Sequence, residues 1–297
     1  IDPLFIGSEG TLGVIVQAKM RIHRKPKKHK WVVALFKDFE SGATALQEMI
    51  QSGIHPAISR LSDPAETKML SLFSQTEKRG IQKILQGWMK SYLKSKGFKK
   101  PALPMMRFVI ENESNLTQAK AAARVARSHH AKLLPGSVSG NWEKTRFELP
   151  YLRDTLIEHR ILIDTFETVT YWKDVLSLHH HIYHTLKKES DYFEKGGLLF
   201  CHISHIYETG ASLYFTMIAQ QEKDNELEQW AGLKQIVSKA ITDHGGAISH
   251  HHGIGRDHRK WYLQKLSTEE QKLLQAIKKH LDPNGILNPG KLFDDGS

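Results

Sequence analysis

The chain has 297 residues, 40% hydrophobic and 25% charged, a composition typical of a globular protein that buries a substantial core. No apolar run approaches the roughly 20 residues that span a bilayer, and the single Cys201 excludes a disulfide scaffold or a cysteine-based zinc cluster and favours a reducing compartment. The net charge of +10 favours phosphate-bearing or anionic partners, although extra surface lysines explain it equally well.

The predicted elements alternate between strands and helices along the chain. A Gly-rich loop precedes a strand over 14–22 and a basic linker over 24–28. Further strands are predicted over 31–36, 58–61, 107–111, 161–169, 197–207 and 211–219, and helices over 41–52, 116–130, 171–188, 225–244 and 268–280. This order indicates an α+β domain, an antiparallel sheet with helices on one face.

The front of the chain carries the string Gly7-Ser8-Glu9-Gly10-Thr11-Leu12-Gly13-Val14-Ile15. Its glycines let the backbone approach a ligand closely, and exposed amides suit phosphate groups or the edge of a flavin ring. A tight turn before a strand is the alternative. The string resembles the flavin-contacting loop of the vanillyl-alcohol-oxidase family of FAD enzymes. The tail string Leu281-Asp282-Pro283-Asn284-Gly285-Ile286-Leu287-Asn288-Pro289-Gly290-Lys291 resembles the end of that family's C-terminal domain, which returns to the flavin.

This resemblance implies a division of the chain and a set of FAD-binding residues. Residues 1–28 are expected to be the last part of a PCMH-type FAD-binding domain, most of which lies upstream of Ile1. Residues 29–297 are expected to form the substrate-side cap domain, with an insertion over 70–104 and a C-terminal lobe over 245–297. The expected FAD-binding residues are Glu9, Gly10, Thr11, Leu12, Gly13, Val14, Ile15, Asn288 and Lys291.

A second motif, Ser249-His250-His251-His252-Gly253-Ile254-Gly255, places three histidines in succession in a loop. Successive side chains point in different directions, so we predict no metal site. We expect proton transfer or hydrogen bonding to an oxyanion near neutral pH instead. An ordinary surface loop is the alternative.

Tyr214 and two arginines are further candidates for substrate chemistry. On a strand that begins at Ala211, alternation places Tyr214 on the more polar face, either as an acid or base or as an ordinary half-buried tyrosine. The Arg153 guanidinium fits a phosphate bidentately, or forms a salt bridge with Asp154 or a nearby carboxylate. Arg60 admits the same two interpretations.

In their order along the chain, the segment Tyr151-Leu152-Arg153-Asp154, the strand containing Tyr214 and the three histidines resemble the alkyldihydroxyacetonephosphate synthase family. The resemblance implies an FAD enzyme that exchanges the acyl chain of acyl-dihydroxyacetone phosphate for a fatty alcohol. It implies Tyr214 as the general acid/base, Arg153 as the phosphate anchor, and catalytic roles for Arg60, His250, His251 and His252. Related D-lactate and 2-hydroxyglutarate dehydrogenases carry a metal-binding histidine where Tyr214 stands. An FAD-linked 2-hydroxy-acid oxidase or dehydrogenase is the alternative.

Residues 78–100 form a basic amphipathic stretch in which Trp88 and Tyr92 lie on an apolar helical face among lysines. It predicts a peripheral membrane contact for a lipid substrate, or a surface helix packed on its own domain. We expect no nucleic-acid partner, because no aromatic-basic recognition motif occurs, and we leave a homodimer open. The expected location is the cytoplasm, in part at the membrane, or the peroxisome for a eukaryotic source.

Overall fold

A seven-stranded antiparallel sheet forms the centre of the fold in a computed structural model that describes residues 2–24, 30–73, 105–110, 115–136 and 152–292. The strand order is β4-β1-β3-β2-β6-β7-β5, and every neighbouring pair is antiparallel. The strands are β1 (Lys30–Leu35), β2 (Ile58–Ser62), β3 (Met105–Ile110), β4 (Lys132–Leu134), β5 (Ile161–Tyr171), β6 (Leu198–Ile206) and β7 (Gly210–Gln220).

Four of the longer helices bury their apolar sides against one face of this sheet, which confirms the predicted α+β class. The helices are α1 (Asp2–Phe5), α2 (Phe39–Gln51), α3 (Pro64–Phe73), α4 (Asn115–Ser128), α5 (Leu152–Glu158), α6 (Val175–Glu189), α7 (Glu226–Asp243), α8 (Arg259–Lys265) and α9 (Thr268–Leu281). The core joins residues of α2, α4, α6 and α7 to those of the strands. Helix α2 approaches closely because it has no side chain at Gly42, where a Cβ atom would stand 2.7 Å from Leu61.

The opposite face of the sheet is polar at its centre. Leu61, Ile203, Leu213 and Phe215 enter the core, so strand alternation turns their neighbours to the other side. The register places Glu167 of β5 beside Tyr214 of β7, and Tyr214 beside His202 of β6. Three residues with hydrogen-bonding side chains therefore form one row across three adjacent strands.

The structure differs from the predicted elements chiefly at the front of the chain. The predicted strand over 14–22 is wrong for the described structure, since this segment has no regular secondary structure and Val14, Val16 and Ile22 are exposed. A strand needs a partner for its backbone hydrogen bonds, and no described strand pairs with it. The short elements α3, β4, α5 and α8 were not predicted. The predicted amphipathic stretch over 78–100 lies outside the described residues, and no helix among those described is long and apolar enough to cross a membrane.

Lys278 of α9 ties the front loop to the C-terminal tail. Its buried Nζ donates to the carbonyl oxygens of Thr11 at 2.9 Å and Leu287 at 2.8 Å, and pairs with Asp282 Oδ2 at 2.6 Å. Asp282 in turn accepts the backbone amides of Ile286 and Leu287. One ammonium group thus joins two segments more than 260 positions apart.

We expect Lys278→Met to lower the free energy of unfolding by about 3 kcal/mol, because it leaves a buried carboxylate and two carbonyl oxygens without their donor. Urea denaturation followed by circular dichroism measures the change. The matched control is Lys272→Met on the same helix, which removes only an exposed pair with Glu269 and is expected to change stability by less than about 0.5 kcal/mol. Equal changes in the free energy of unfolding for the two variants would show that Lys278 does not stabilise the protein by joining the front loop to the tail.

Candidate functional site

The segment 246–255, called the histidine loop below, is fixed above β5 by three contacts. Gly246 packs so closely that a Cβ atom there would stand 2.6 Å from Thr168 Oγ1. The Ala247 amide donates to the Val169 carbonyl at 3.0 Å, and Lys265 Nζ donates to the Gly246 carbonyl at 2.8 Å. The histidines that follow are therefore held over the middle of the strand.

Glu167 of β5 lies beneath these histidines, and its side chain is fully buried. Its Oε1 is 3.3 Å from the Nδ1 atoms of both His205 and His250. Its Oε2 contacts His251 Nδ1 and lies 3.7 Å from His252 Nε2. None of these nitrogens has the orientation of a hydrogen bond, and neither oxygen has a hydrogen-bond partner within the described part of the chain.

The three successive histidines do point in different directions, as predicted, with ring planes at 89° and 81° to one another. The prediction missed the two residues that gather them, Glu167 and His205. Glu167 was detectable only as one of two charged residues, with Asp164, in a strand that is otherwise apolar or β-branched. His205 lies near the end of β6, where its approach to the histidine loop depends on tertiary folding.

Tyr214 stands between this cluster and a second polar network. Its ring stacks on His202 with centroids 4.8 Å apart, and meets His252 edge-on at 5.3 Å. Burial lowers the pKa of His252, although Glu167 opposes this shift. A neutral imidazole therefore adjoins the tyrosine ring near pH 7, on the polar face that alternation predicted.

The second network consists of Arg60, Glu66 and His202. Arg60 donates to His202 Nε2 at 3.0 Å and to Glu66 Oε1 at 2.6 Å, while His202 Nδ1 lies 2.9 Å from the same oxygen. Because arginine only donates, Nε2 must accept, so the proton of a neutral His202 lies on Nδ1 and is donated to Glu66. Burial lowers the pKa of His202, consistent with this neutral form.

The predicted flavin loop meets the histidine loop through Glu9. The Glu9 carboxylate accepts hydrogen bonds from the backbone amides of Ile254 at 2.5 Å and Gly255 at 2.8 Å. Asn288 Nδ2 donates a hydrogen bond to the backbone carbonyl oxygen of Glu9. Gly10 is left-handed at φ +76°, which a glycine adopts without strain. The Glu9 side chain thus joins the two loops, and the glycine backbone beside it is positioned to contact a ligand.

A cleft of about 770 Å³ opens between these two loops. One wall is apolar and the other is polar. The lining includes Phe5, Ile6, Gly10, Gly13, Val14, Ile15, Ser249, His250 and His251. Leu12 is buried against Leu292, and the Thr11 hydroxyl donates to the Ser8 carbonyl, so these two predicted FAD residues support the loop from behind.

Two predicted residues lie apart from these contacts. Arg153 of α5 is largely exposed, and its guanidinium lies 3.8 Å from the Asp154 carboxylate. A salt bridge with Asp154 was the alternative that the sequence left open. No contact joins it to the histidine loop in the part of the chain that the structure describes. Lys291 is half-buried in the tail near Asn288.

We expect the Glu66 carboxylate to make folding sensitive to acid. Burial raises the pKa of Glu66, but Arg60 and the hydrogen bond from His202 outweigh it and lower the pKa from 4.5 to about 2. The ionised form is therefore favoured by folding, and this contribution, about 3 kcal/mol, is present above pH 4.5 and lost as the pH falls toward 2.

Glu66→Gln is expected to remove that part of the pH dependence and to lower stability at pH 7. Urea denaturation at several pH values between 2 and 7 measures both effects. Glu269→Gln, at an exposed position of α9, is the matched control and is expected to keep the wild-type slope. A Glu66→Gln variant with the wild-type slope would show that the carboxylate is not the acid-sensitive group.

Comparison with known proteins places these features in one family. The family of FAD linked oxidases, C-terminal domain, matches residues 25–292. The alkyldihydroxyacetonephosphate synthase of Dictyostelium discoideum is 30% identical over 298 residues, which are 98% of this chain and 48% of that protein. A glycolate oxidase subunit of Bacillus subtilis is 25% identical over 312 residues, covering 98% of this chain and 56% of the subunit. The chain spans about half the length of these relatives.

A solved structure has the same architecture. An alkyldihydroxyacetonephosphate synthase superposes with a TM-score of 0.70 at 26% identity, covering 95% of this chain and 48% of the other. The fold and the sequence therefore agree. The chain belongs to the FAD-linked oxidases, a family of FAD-dependent enzymes, and contains their C-terminal domain.

Proposed function

We propose that the protein exchanges the acyl chain of an acyl-dihydroxyacetone phosphate for a fatty alcohol, releasing a fatty acid and forming an ether-lipid precursor. The observation that carries this proposal is the position of Tyr214, between His202 and His252 on the polar face of the sheet. The 30% identity to a synthase that covers 98% of this chain supports the same activity.

The cleft between the flavin loop and the histidine loop fits FAD. Its apolar wall of Phe5, Ile6, Val14 and Ile15 suits a flat aromatic ring, and the exposed glycine backbone suits ring-edge or phosphate oxygens. On the opposite wall, the buried Ser249 hydroxyl has no hydrogen-bond partner among the described residues. When bound, FAD supplies an electron sink for the reacting carbon.

The residues of this chain have separate roles in the exchange. His252, held neutral near pH 7 by partial burial, accepts the proton of the Tyr214 hydroxyl. The Tyr214 oxygen then takes the proton from the substrate carbon that loses hydrogen, and both transfers reverse when that carbon regains it. Arg60 and Glu66 hold His202 in a single tautomer against the tyrosine ring, so they position Tyr214 rather than react.

Arg153 is proposed as the anchor of the substrate phosphate. Its guanidinium is 63% exposed, and its contact with Asp154, at 3.8 Å, is long for an ion pair, so phosphate binding breaks little. A remote anchor of this kind supplies binding energy that orients the reacting carbon. The membrane contact through residues 78–100 is proposed as the route by which the lipid chains arrive.

Oxidation of a 2-hydroxy acid is the second candidate, supported by the 25% identity to a glycolate oxidase subunit. The two activities differ in their products. We expect the full-length, FAD-loaded protein to convert acyl-dihydroxyacetone phosphate and a long-chain alcohol into the alkyl product, and not to reduce a dye with glycolate, D-lactate or 2-hydroxyglutarate. Mass spectrometry of the lipid product and dye absorbance measure both. Dye reduction without alkyl product would favour the second candidate.

We expect Tyr214→Phe to lower kcat by at least about 100-fold, because it removes the hydroxyl and keeps the ring that stacks on His202. The matched control is Tyr171→Phe at the exposed end of β5, which is expected to retain wild-type turnover. Flavin absorbance of both variants verifies FAD content. A flavin-loaded Tyr214→Phe enzyme with full turnover would refute the role of this hydroxyl.

A further inference from the structure

A cavity of about 730 Å³ lies on the helical side of the sheet, away from Tyr214. It is bounded by the start of β1, the end of β4 and one side of α4. Val32 and Ala119, which line it, belong to the core between sheet and helices, whereas Tyr214 lies on the opposite, polar face. Small-molecule sites have volumes of roughly 300 to 1,000 Å³. The cavity is therefore large enough for a ligand and separate from the proposed active site.

The lining of this cavity carries four positive charges and, within the described part of the chain, no carboxylate. The charged residues are Lys30 of β1 and Lys120, Arg124 and Arg127 of α4. All four are exposed, and none has a side-chain ion pair or hydrogen bond with another described residue. Like charges on neighbouring side chains repel one another, and an anion placed among them removes that repulsion. The cavity therefore favours an anionic ligand.

Three of these charges form a stripe along α4. Lys120, Arg124 and Arg127 stand at positions i, i+4 and i+7, which share one face of a helix and extend over about 10 Å of its axis. The sequence of α4 contains no Asp or Glu, so no carboxylate of the helix itself offsets the stripe. A guanidinium binds a phosphate group through two parallel hydrogen bonds. The length of the stripe suits a row of two or more phosphates better than a single one.

The other walls of the cavity are mostly apolar. They are formed by Trp31, Val32, Ala119, Ala123, Leu133 and Leu134. Trp31 is half-buried, and a Cβ atom at Gly136 would stand 3.0 Å from its carbonyl oxygen, so the end of β4 packs closely against β1 beside the indole ring. Aromatic and aliphatic walls of this kind suit a flat, apolar part of a ligand. The charged stripe and the apolar walls together fit a molecule that has both parts.

We propose that this cavity binds a nucleoside diphosphate, with its phosphates on the stripe of α4 and its base against the apolar walls. The phosphates neutralise Lys120, Arg124 and Arg127, and Lys30 adds a fourth charge from β1. The base covers the half-buried side chains of β1 and β4. A bound ligand therefore joins α4 to the edge of the sheet. The site stands independently of the transfer activity proposed above.

Titration of the full-length, FAD-loaded protein with ADP tests the proposal. FAD itself contains an ADP group, so a filled cofactor site prevents ADP from binding there. We expect isothermal titration to give one ADP site per chain. AMP and pyrophosphate are each expected to bind at least about 10-fold more weakly, because AMP lacks the second phosphate and pyrophosphate lacks the base.

Arg124→Gln combined with Arg127→Gln is expected to weaken ADP binding by at least about 10-fold, since it removes two bidentate phosphate donors. Both arginines are exposed, so the core is unchanged. The charge-matched control is Lys187→Gln combined with Lys188→Gln, in the exposed last turn of α6, which is expected to bind ADP as the wild type does. Circular dichroism establishes that both variants are folded.

Absence of saturable ADP binding by the wild type, or equal ADP binding by the wild type and the arginine variant, would overturn the proposal. Pyrophosphate that binds as tightly as ADP would also overturn it, because the surface would then recognise the charge alone. Binding to vesicles of anionic phospholipid without binding of ADP would assign the surface to a membrane instead. Loss of transfer activity alone bears on the proposed function and leaves the nucleotide site unaffected.

Discussion

The buried charge of Glu167 is the constraint on which the site depends. A carboxylate with no exposed side-chain surface costs several kcal/mol unless nearby groups offset its burial. Four histidines do so, and three of them come from one loop. The histidine loop lies close to Glu167 because Gly246 has no side chain and because the Ala247 amide donates a hydrogen bond to the Val169 carbonyl of β5. The contacts of the histidines with Glu167 and the hydrogen bond of Ala247 to β5 therefore fix the histidine loop over the carboxylate.

The histidine loop is also joined to the front loop on the other side of the cleft. Glu9 accepts two backbone amides of the histidine loop, and Lys278 ties the residues behind Glu9 to the tail. The front loop, the histidine loop and the tail thus form one connected unit, although they are far apart in the sequence. A displacement of any of them changes the distance between the cleft and the polar row of the sheet.

How far the sequence predicts this arrangement depends on the range of the interactions. Strand alternation alone placed Tyr214 on the polar face, since the core residues Leu213 and Phe215 flank it. Glu167 and His205 were missed because their importance arises from contacts between distant segments. The strand over 14–22 was wrong because alternation predicts strand propensity, and a strand also needs a neighbour to accept its hydrogen bonds. The family resemblance identified the cofactor, which no local pattern specifies.

Two carboxylates flank Tyr214, and they are neutralised in different ways. Glu66 is paired with the Arg60 guanidinium, which helps to lower the pKa of the Glu66 carboxyl to about 2. That side of the tyrosine is therefore constant across the physiological range. Glu167 is instead surrounded by the imidazole rings of four histidines. The carboxylate surrounded by imidazoles is therefore the one on the side of Tyr214 where the cleft opens, and the carboxylate paired with arginine lies on the other side.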